Sequence, residues 1–364
     1  MVSAFFWIPV GESNLSEKTL KTVVVGLGHQ SWDDHIPALL ESDEFELTAV
    51  CDLNAETVSA ASQKWGVHGS ASLDELLEEH GKSIDVALVA VPHKDYLGII
   101  QKLCAHNIDI IKEKPFATSF VEAVELAECV REHNVVLEMT LQRRHNPVFT
   151  SFAQLVRRIG TIHAIEARYV MNIKRLDEGW RASQLYAGGG ALIDLGYHYV
   201  DLIVWYFGLP EHVNCQISTG NREDQEYDVE DTAFVQFDYN RSDSHENHLL
   251  GTLVVSRVYP RKDEGMRAFG TKGHVEVQRG AVSRSYDNGE KEERLERFGS
   301  WPSALVDQLE ACAQSIRGGE TRGTVSDDYL KHVAFVEAAY RSAKIGMPVK
   351  PQEIFDAMRE KLVK

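Results

Sequence analysis

A chain of 364 residues is long enough to bury substantial cores in one or two domains. Its 43% hydrophobic and 26% charged content is that of a globular protein, and no apolar run approaches membrane length. The net charge of −17 argues against a nucleic-acid partner, because no basic patch is available to release phosphate counterions.

Residues 1–20 form an extension. Its apolar stretch, Phe5–Val10, is short, has no basic residues before it and no small-residue cleavage pattern. Neither a signal peptide nor a membrane anchor is expected. Two readings stay open, a disordered leader or an arm packed on a neighbouring subunit.

Residues 21–141 alternate strand and helix. Thr22–Val25 is a short apolar strand that runs into Gly26, Leu27, Gly28, His29 and Gln30, and a helix opens near Asp33 and Asp34. A strand, a tight glycine turn and a helix N-terminus together make a dinucleotide fingerprint. Gly26 permits the turn, and Gly28 lets backbone N–H groups approach a pyrophosphate. The third glycine of that fingerprint is replaced by Ser31, so the first helical turn should be shifted or lengthened. An ordinary β-turn fits these residues equally well. Phe45–Val50 is the next strand, followed by Cys51, Asp52 and Leu53. Asp52 is placed to accept from both hydroxyls of an adenosine ribose, or to cap the following helix, a job Asn54 can also do. A carboxylate there repels a 2′-phosphate, which favours NAD and leaves NADP as the second choice.

A helix follows over 55–64, and Ser72 and Ser119 open capping boxes. Asp85–Val91 has the apolar character of a parallel strand buried on both faces and ends in Pro92 and His93. A helix over 95–105 leads to the strand Ile108–Lys112, which ends in Glu113, Lys114 and Pro115. Val121, Val124, Ala127 and Val130 make a helical stripe, and Val135–Met139 is one more strand. The βαβα rhythm means a doubly wound parallel sheet with helices on both faces.

From 142 to 350 the pattern changes. After a helix over 148–158, strand-like runs at 165–171, 213–219, 232–239, 249–259 and 267–277 suggest an open, largely antiparallel sheet in a second α/β domain. Turns at 241–246 and 270–273 join them, and the charged run 287–296 reads as a hairpin tip. One helix, 191–207, interrupts the strands, and helices over 302–316 and 327–344 close the domain before a tail, 351–364. The five cysteines, at 51, 104, 129, 215 and 312, form no Cys-x-x-Cys pair. They read as free thiols in a reducing, cytoplasmic compartment.

Gly188, Gly189 and Gly190 lead the helix that carries Asp194 and His198, four residues apart and hence on one face. The glycines leave room for a ligand against the backbone. Each motif also has a structural reading of its own: turn chemistry for Pro92, a surface ion pair for Lys114 and Glu113, a mutually satisfied buried pair for Asp194 and His198.

Taken together, the motifs resemble the Gfo/Idh/MocA family of glucose–fructose oxidoreductase, inositol dehydrogenase and their relatives. The resemblance covers about residues 20–350. It rests on Gly26 and Gly28, on Glu113-Lys114-Pro115, on the run from Gly188 to Asp201, and on Glu337–Val349, which resembles the family's last helix and the turn after it. It implies a Rossmann domain, a C-terminal α/β domain often used for dimer or tetramer contacts, a bound NAD or NADP, no metal, and a sugar, polyol or sugar-nucleotide substrate. Lys114, Asp194 and His198 are implied as the catalytic group. Gly26, Leu27, Gly28, His29, Gln30, Asp52, Leu53, Val91, Pro92, His93, Glu113, Lys114 and Arg181 are implied around the cofactor. Gln142, Arg144, Tyr169, Asn172 and Tyr197 join the catalytic group around the substrate, and Trp180-Arg181 is similar to a family pair near both ligands. The chain departs from the family at Ser31, at one extra residue before His35, and at Tyr96, where a histidine is frequent. Two other activities remain compatible with the fold: an NAD-retaining glycosidase or lyase using transient oxidation, and a non-catalytic NAD sensor.

Overall fold

Six short strands, all but the third rich in apolar residues, build the first layer. In this computed structural model, which describes residues 19–239, 248–278, 280–286, 293–295 and 301–363, β1 (Leu20–Val25), β2 (Phe45–Cys51), β3 (His68–Ser70), β4 (Val86–Val89), β5 (Asp109–Lys112) and β6 (Leu137–Met139) pair in parallel. Their order is β3-β2-β1-β4-β5-β6. It reverses between β1 and β4, and that reversal opens a crevice at the carboxyl ends of these two strands.

The connecting helices are α1 (Ile36–Glu41), α2 (Ala55–Trp65), α3 (Leu73–His80), α4 (Tyr96–Ala105) and α5 (Phe120–His133). Asn54, Ser72 and Ser119 each accept a backbone N–H at the start of α2, α3 and α5, contacts worth about 1 kcal/mol apiece. The stripe expected on α5 is offset. Val121 faces solvent, and Ala123, Val124, Leu126, Ala127 and Val130 are buried.

After α6 (Pro147–Val156) comes β7 (Ile162–Asn172), then α7 (Gln184–Ala187), α8 (Tyr197–Phe207), β8 (His212–Ser218), β9 (Thr232–Tyr239), β10 (Leu249–Ser256), β11 (Val258–Gly270), β12 (Gly273–Gln278), β13 (Ala281–Ser285) and β14 (Glu293–Leu295). The strands form a second sheet in the order β14-β13-β12-β11-β7-β10-β9-β8. All its pairs are antiparallel except β10 with β7. The run expected at 249–259 is two strands broken at Arg257. The expected turn at 241–246, most of the expected tip at 287–296 and residues 1–18 lie outside the described residues.

Three helices complete the chain: α9 (Trp301–Gly318), α10 (Asp327–Ile345) and α11 (Pro351–Val363). The expected tail at 351–364 is therefore mostly helix, anchored by Ile354 and Met358 in the main core. A second difference bears on domain organisation. Leu305, Leu309, Cys312, Ala313 and Ile316 of α9 share a core with Val24, Ile36, Leu39, Val50, Leu88 and Ile111 of the nucleotide-type sheet. The chain thus returns to its first domain to cover one face of it. Among the described residues no helix is long and apolar enough to cross a membrane.

Leu309 is fully buried in this shared core. Leu309→Ala should cost about 2–5 kcal/mol in denaturant unfolding and weaken NADH binding with it. Unchanged NADH affinity in a destabilised variant would show that α9 does not support the first domain.

Candidate active site

The entry to α1 shows where Ser31 and the extra residue go. Gln30–His35 is one π-helical stretch, in which each turn takes one more residue than an α-helix. Ser31 is fully buried, and its hydroxyl donates to the Gly26 carbonyl at 2.6 Å. The wider turn brings His35 Nε2 within 3.0 Å of Glu113 Oε1 in the buried interior. Burial alone would raise the Glu113 carboxyl; the His35 hydrogen bond and the charges of His35 and Lys114 bring it down to about 2. Glu113 thereby ties the tip of β5 to the glycine turn through His35.

The turn itself suits a dinucleotide. Gly26 has φ +92°, and a Cβ there would lie 2.2 Å from the Ala90 carbonyl. Gly28 faces open space, with nothing within 4 Å of a Cβ position, so the cradle is one that a side chain would fill. Asn54 caps α2, which leaves Asp52 at the crevice. Its Oδ2 accepts from Leu27 N at 2.7 Å and its Oδ1 from Asn54 N at 2.9 Å. Leu53 beside it is almost fully exposed. His29 and Gln30 turn their side chains to Asp33 and Asp34, so only their backbone faces the turn. Val91 borders Gly26 across the switch point. His93 is buried beyond Pro92, its Nδ1 2.7 Å from the Ala187 carbonyl and its ring edge-on to Trp180. Burial, against the Ala187 hydrogen bond, pushes it down to about 3. Through Ala187 and Trp180 it joins the two domains.

Lys114 comes off β5 in the turn Glu113-Lys114-Pro115, whose Lys114–Pro115 peptide is cis. Its ammonium donates to both the main-chain oxygen and the Oδ1 of Asp194, each at 3.0 Å. Asp194 lies in a second π-helical stretch, Leu192–Gly196, that leads into α8. The other carboxylate oxygen accepts from Arg257 Nη2 at 3.0 Å and lies 3.5 Å from Arg181 Nε, which stacks over Trp180. Burial alone would raise this carboxyl, but Lys114, Arg257 and Arg181 hold it well below the usual carboxylate range. His198, one turn on, is half-buried beside Tyr169, ring centroids 6.1 Å apart. Burial, then the charges of Lys114 and Arg143, keep its ring well below the ordinary histidine value and hence neutral at pH 7. Among the described residues none hydrogen-bonds to that ring.

The three glycines serve packing. A Cβ on Gly188 would lie 2.5 Å from Thr118, on Gly189 2.1 Å from the Tyr340 hydroxyl, and on Gly190 1.8 Å from the Glu230 carbonyl. The expected ligand space is filled by protein. Glu230 closes the turn, accepting from Gly190 N, Leu192 N and the Tyr340 hydroxyl at 2.7–2.9 Å.

Three residues expected at the substrate are committed elsewhere. Arg144 is held by Asp201 and Asp328, with His332 beside it. Tyr197 points into the core, its hydroxyl accepting from Phe116 N at 3.1 Å and donating to Met139 Sδ. Asn172, at the exposed end of β7, accepts from Arg222. Gln142 is buried with its Oε1 unpartnered among the described residues, and Tyr169 stays at the site.

Two site residues escaped the sequence reading. Arg257 is buried at the β10–β11 junction and also donates to the Gly190 carbonyl at 3.1 Å. A single charge interrupting an apolar strand run was its only signal. Arg143 lies enclosed by Tyr199, Phe149 and Tyr169, 4.7–5.3 Å from their ring centroids. It sits in the 3₁₀ turn Gln142–His145, where successive side chains are about 120° apart and neighbours face different ways.

Comparison with known proteins bears on both halves of the site. Residues 20–141 match the profile described as an oxidoreductase family with an NAD-binding Rossmann fold, and residues 152–276 match the GFO/IDH/MocA C-terminal domain. The rhizopine catabolism protein MocA of Rhizobium meliloti is 26% identical over 327 residues, spanning 87% of this chain and 92% of that protein. Two solved structures share the fold. The first is GenD2 from gentamicin A biosynthesis in complex with NAD, with TM-score 0.78, 24% identity and coverage of 94% and 99% of the two chains. The second is the WlbA dehydrogenase from Bordetella pertussis in complex with NADH and UDP-GlcNAcA, with TM-score 0.75, 22% identity and coverage of 92% and 99%.

Because a Cβ at residue 190 would collide with main chain, Gly190→Ala should cost about 3 kcal/mol and lower Tm by roughly 6 °C or more. A Tm within 1 °C of the parent, by calorimetry, would refute the packing role.

Proposed function

The chain belongs to the Gfo/Idh/MocA family of NAD-dependent oxidoreductases, and from that premise we propose that it moves a hydride between nicotinamide and a hydroxyl- or keto-bearing carbon of a sugar, polyol or sugar nucleotide. The observation that carries this reading is the meeting of Lys114, Asp194 and His198 beside the glycine crevice.

Bound there, NAD supplies the hydride acceptor for oxidation and, as NADH, the donor for reduction. The backbone of Gly26–Gln30 would receive the pyrophosphate and Asp52 the adenosine ribose, with Leu53 as a contact for the adenine. Val91, Pro92 and Arg181 would hold the nicotinamide end.

The chain's own residues handle the proton and the developing charge. Lys114 has three N–H donors, of which Asp194 holds two. The third is free to reach the reacting oxygen and stabilise negative charge on it. His198, neutral and without a partner among the described residues, takes the hydroxyl proton in oxidation and returns it in reduction. Asp194 fixes the ammonium from the side away from the substrate. Tyr169 and Gln142 line the substrate side, with Arg143 beneath Tyr169.

The outer face of the second sheet leaves Phe234 and Leu250 more than half exposed, which supports a homodimer or homotetramer built through it. Five buried free cysteines support a reducing, cytoplasmic location.

NAD should raise Tm more than NADP, and a polyol, aldose and sugar-nucleotide panel followed at the NADH absorbance should yield a substrate. His198→Ala should lose roughly 10²–10⁴ in turnover. Lys114→Met should lose turnover while NADH affinity stays within a few-fold. Turnover within a few-fold of wild type in either variant would end the assignment. Because His198 is held below its ordinary value, the acid limb of kcat/KM for oxidation should fall below pH 6.5, with activity retained above it; a limb at or above 6.5 contradicts the assigned base. Phe234→Asp should reduce the light-scattering mass, and an unchanged mass argues against that interface.

A further inference from the structure

Lys112 is the last residue of β5, and its side chain is completely buried. Burying an ammonium without a carboxylate partner is costly, and among the described residues none lies within ion-pair distance of Lys112. Its contacts are few and all belong to one place. The ammonium donates to the Glu113 carbonyl at 3.0 Å and to the Pro115 carbonyl. It sits 3.3 Å from the centre of the Tyr96 ring, a cation–π seat from α4. The two carbonyls are those on either side of Lys114.

We propose that Lys112 is a positioning residue for Lys114: its ammonium clamps the two carbonyls that flank Lys114 and thereby holds the Lys114 side chain on Asp194. The inference rests on the reading of Lys114 as the group that meets the reacting oxygen. The two ammonium groups take different partners, Lys112 the flanking carbonyls and Lys114 Asp194, and the Lys114 charge is among the causes that lower Lys112. Burial pushes Lys112 down to about 7 against the opposing charges of Glu122 and Glu113, so the clamp keeps N–H donors whether or not the amine is charged. Glu122 is itself held, accepting from Thr118 N and Oγ1 at 2.7 Å, so its charge acts on Lys112 from a fixed place while α4 and the strand tip supply the contacts.

The test is trace acetylation of the full-length, NADH-loaded protein with acetic anhydride. Lys114 is read by mass spectrometry against the exposed Lys82 and Lys361. In Lys112→Met, labelling of Lys114 should rise at least fivefold over wild type. Lys112→Arg, which keeps donors, should stay within about twofold. Asp194→Asn should also release Lys114. The double variant Lys112→Met, Asp194→Asn should label no faster than the quicker single variant, because both act on one contact. A change under twofold in Lys112→Met, or multiplied effects in the double variant, overturns the inference. If Lys112→Met does not fold by circular dichroism, Lys112→Gln is used with the same criteria. The labelling reads geometry alone; failure of the catalytic reading would show separately, as retained turnover in Lys114→Met.

Discussion

One buried carboxylate organises the site. Asp194 gathers Lys114 from the first domain, Arg257 from a strand junction in the second and Arg181 from the connecting segment. Desolvating such a group costs several kcal/mol, and only close, hydrogen-bonded cations offset it. The same cations bring the domains together at this point. An interaction that is electrostatically expensive therefore doubles as the joint across which the crevice is formed.

Around that joint lies a polar scaffold that does not face the crevice. His35 with Glu113 fastens the glycine turn to the tip of β5, and Glu230 with Tyr340 fastens the glycine run to α10. Arg144, Asp201, Asp328 and His332 fasten the segment after β6 to α8 and α10. Tyr197 links that group to Phe116, two residues past Lys114. Each of these contacts pairs buried polar atoms, although His35 Nδ1 has no partner among the described residues, so replacing one member leaves the other stranded.

Local signals carried the fold a long way. The parallel strands and the caps at Ser72 and Ser119 depend on neighbours within a few residues, and all are present. The order of the glycine, Glu-Lys-Pro and Asp/His motifs pointed to one neighbourhood, in which Lys114 and Asp194 do meet. What remained illegible depends on partners far away in the chain. Nothing near Gly190 says that a carbonyl from residue 230 will press on it, so space for packing read as space for a ligand. Nothing near Arg144 distinguishes it from Arg143 until α8 and α10 supply the carboxylates that take Arg144, and α6, β7 and α8 the aromatic rings that enclose Arg143. The return of α9 to the first sheet is likewise invisible to any reading that places domain borders along a line.

The π-helical entry to α1 has a consequence for comparing this chain with its relatives. The wide turn takes one more residue than an α-helical turn, so against any relative whose entry here is plainly α-helical the residues between Gly28 and His35 slip by one. Roles transferred by counting from the last glycine will be misassigned across that interval. Any variant library aimed at coenzyme preference here has to be laid out from three-dimensional equivalence, not from column position.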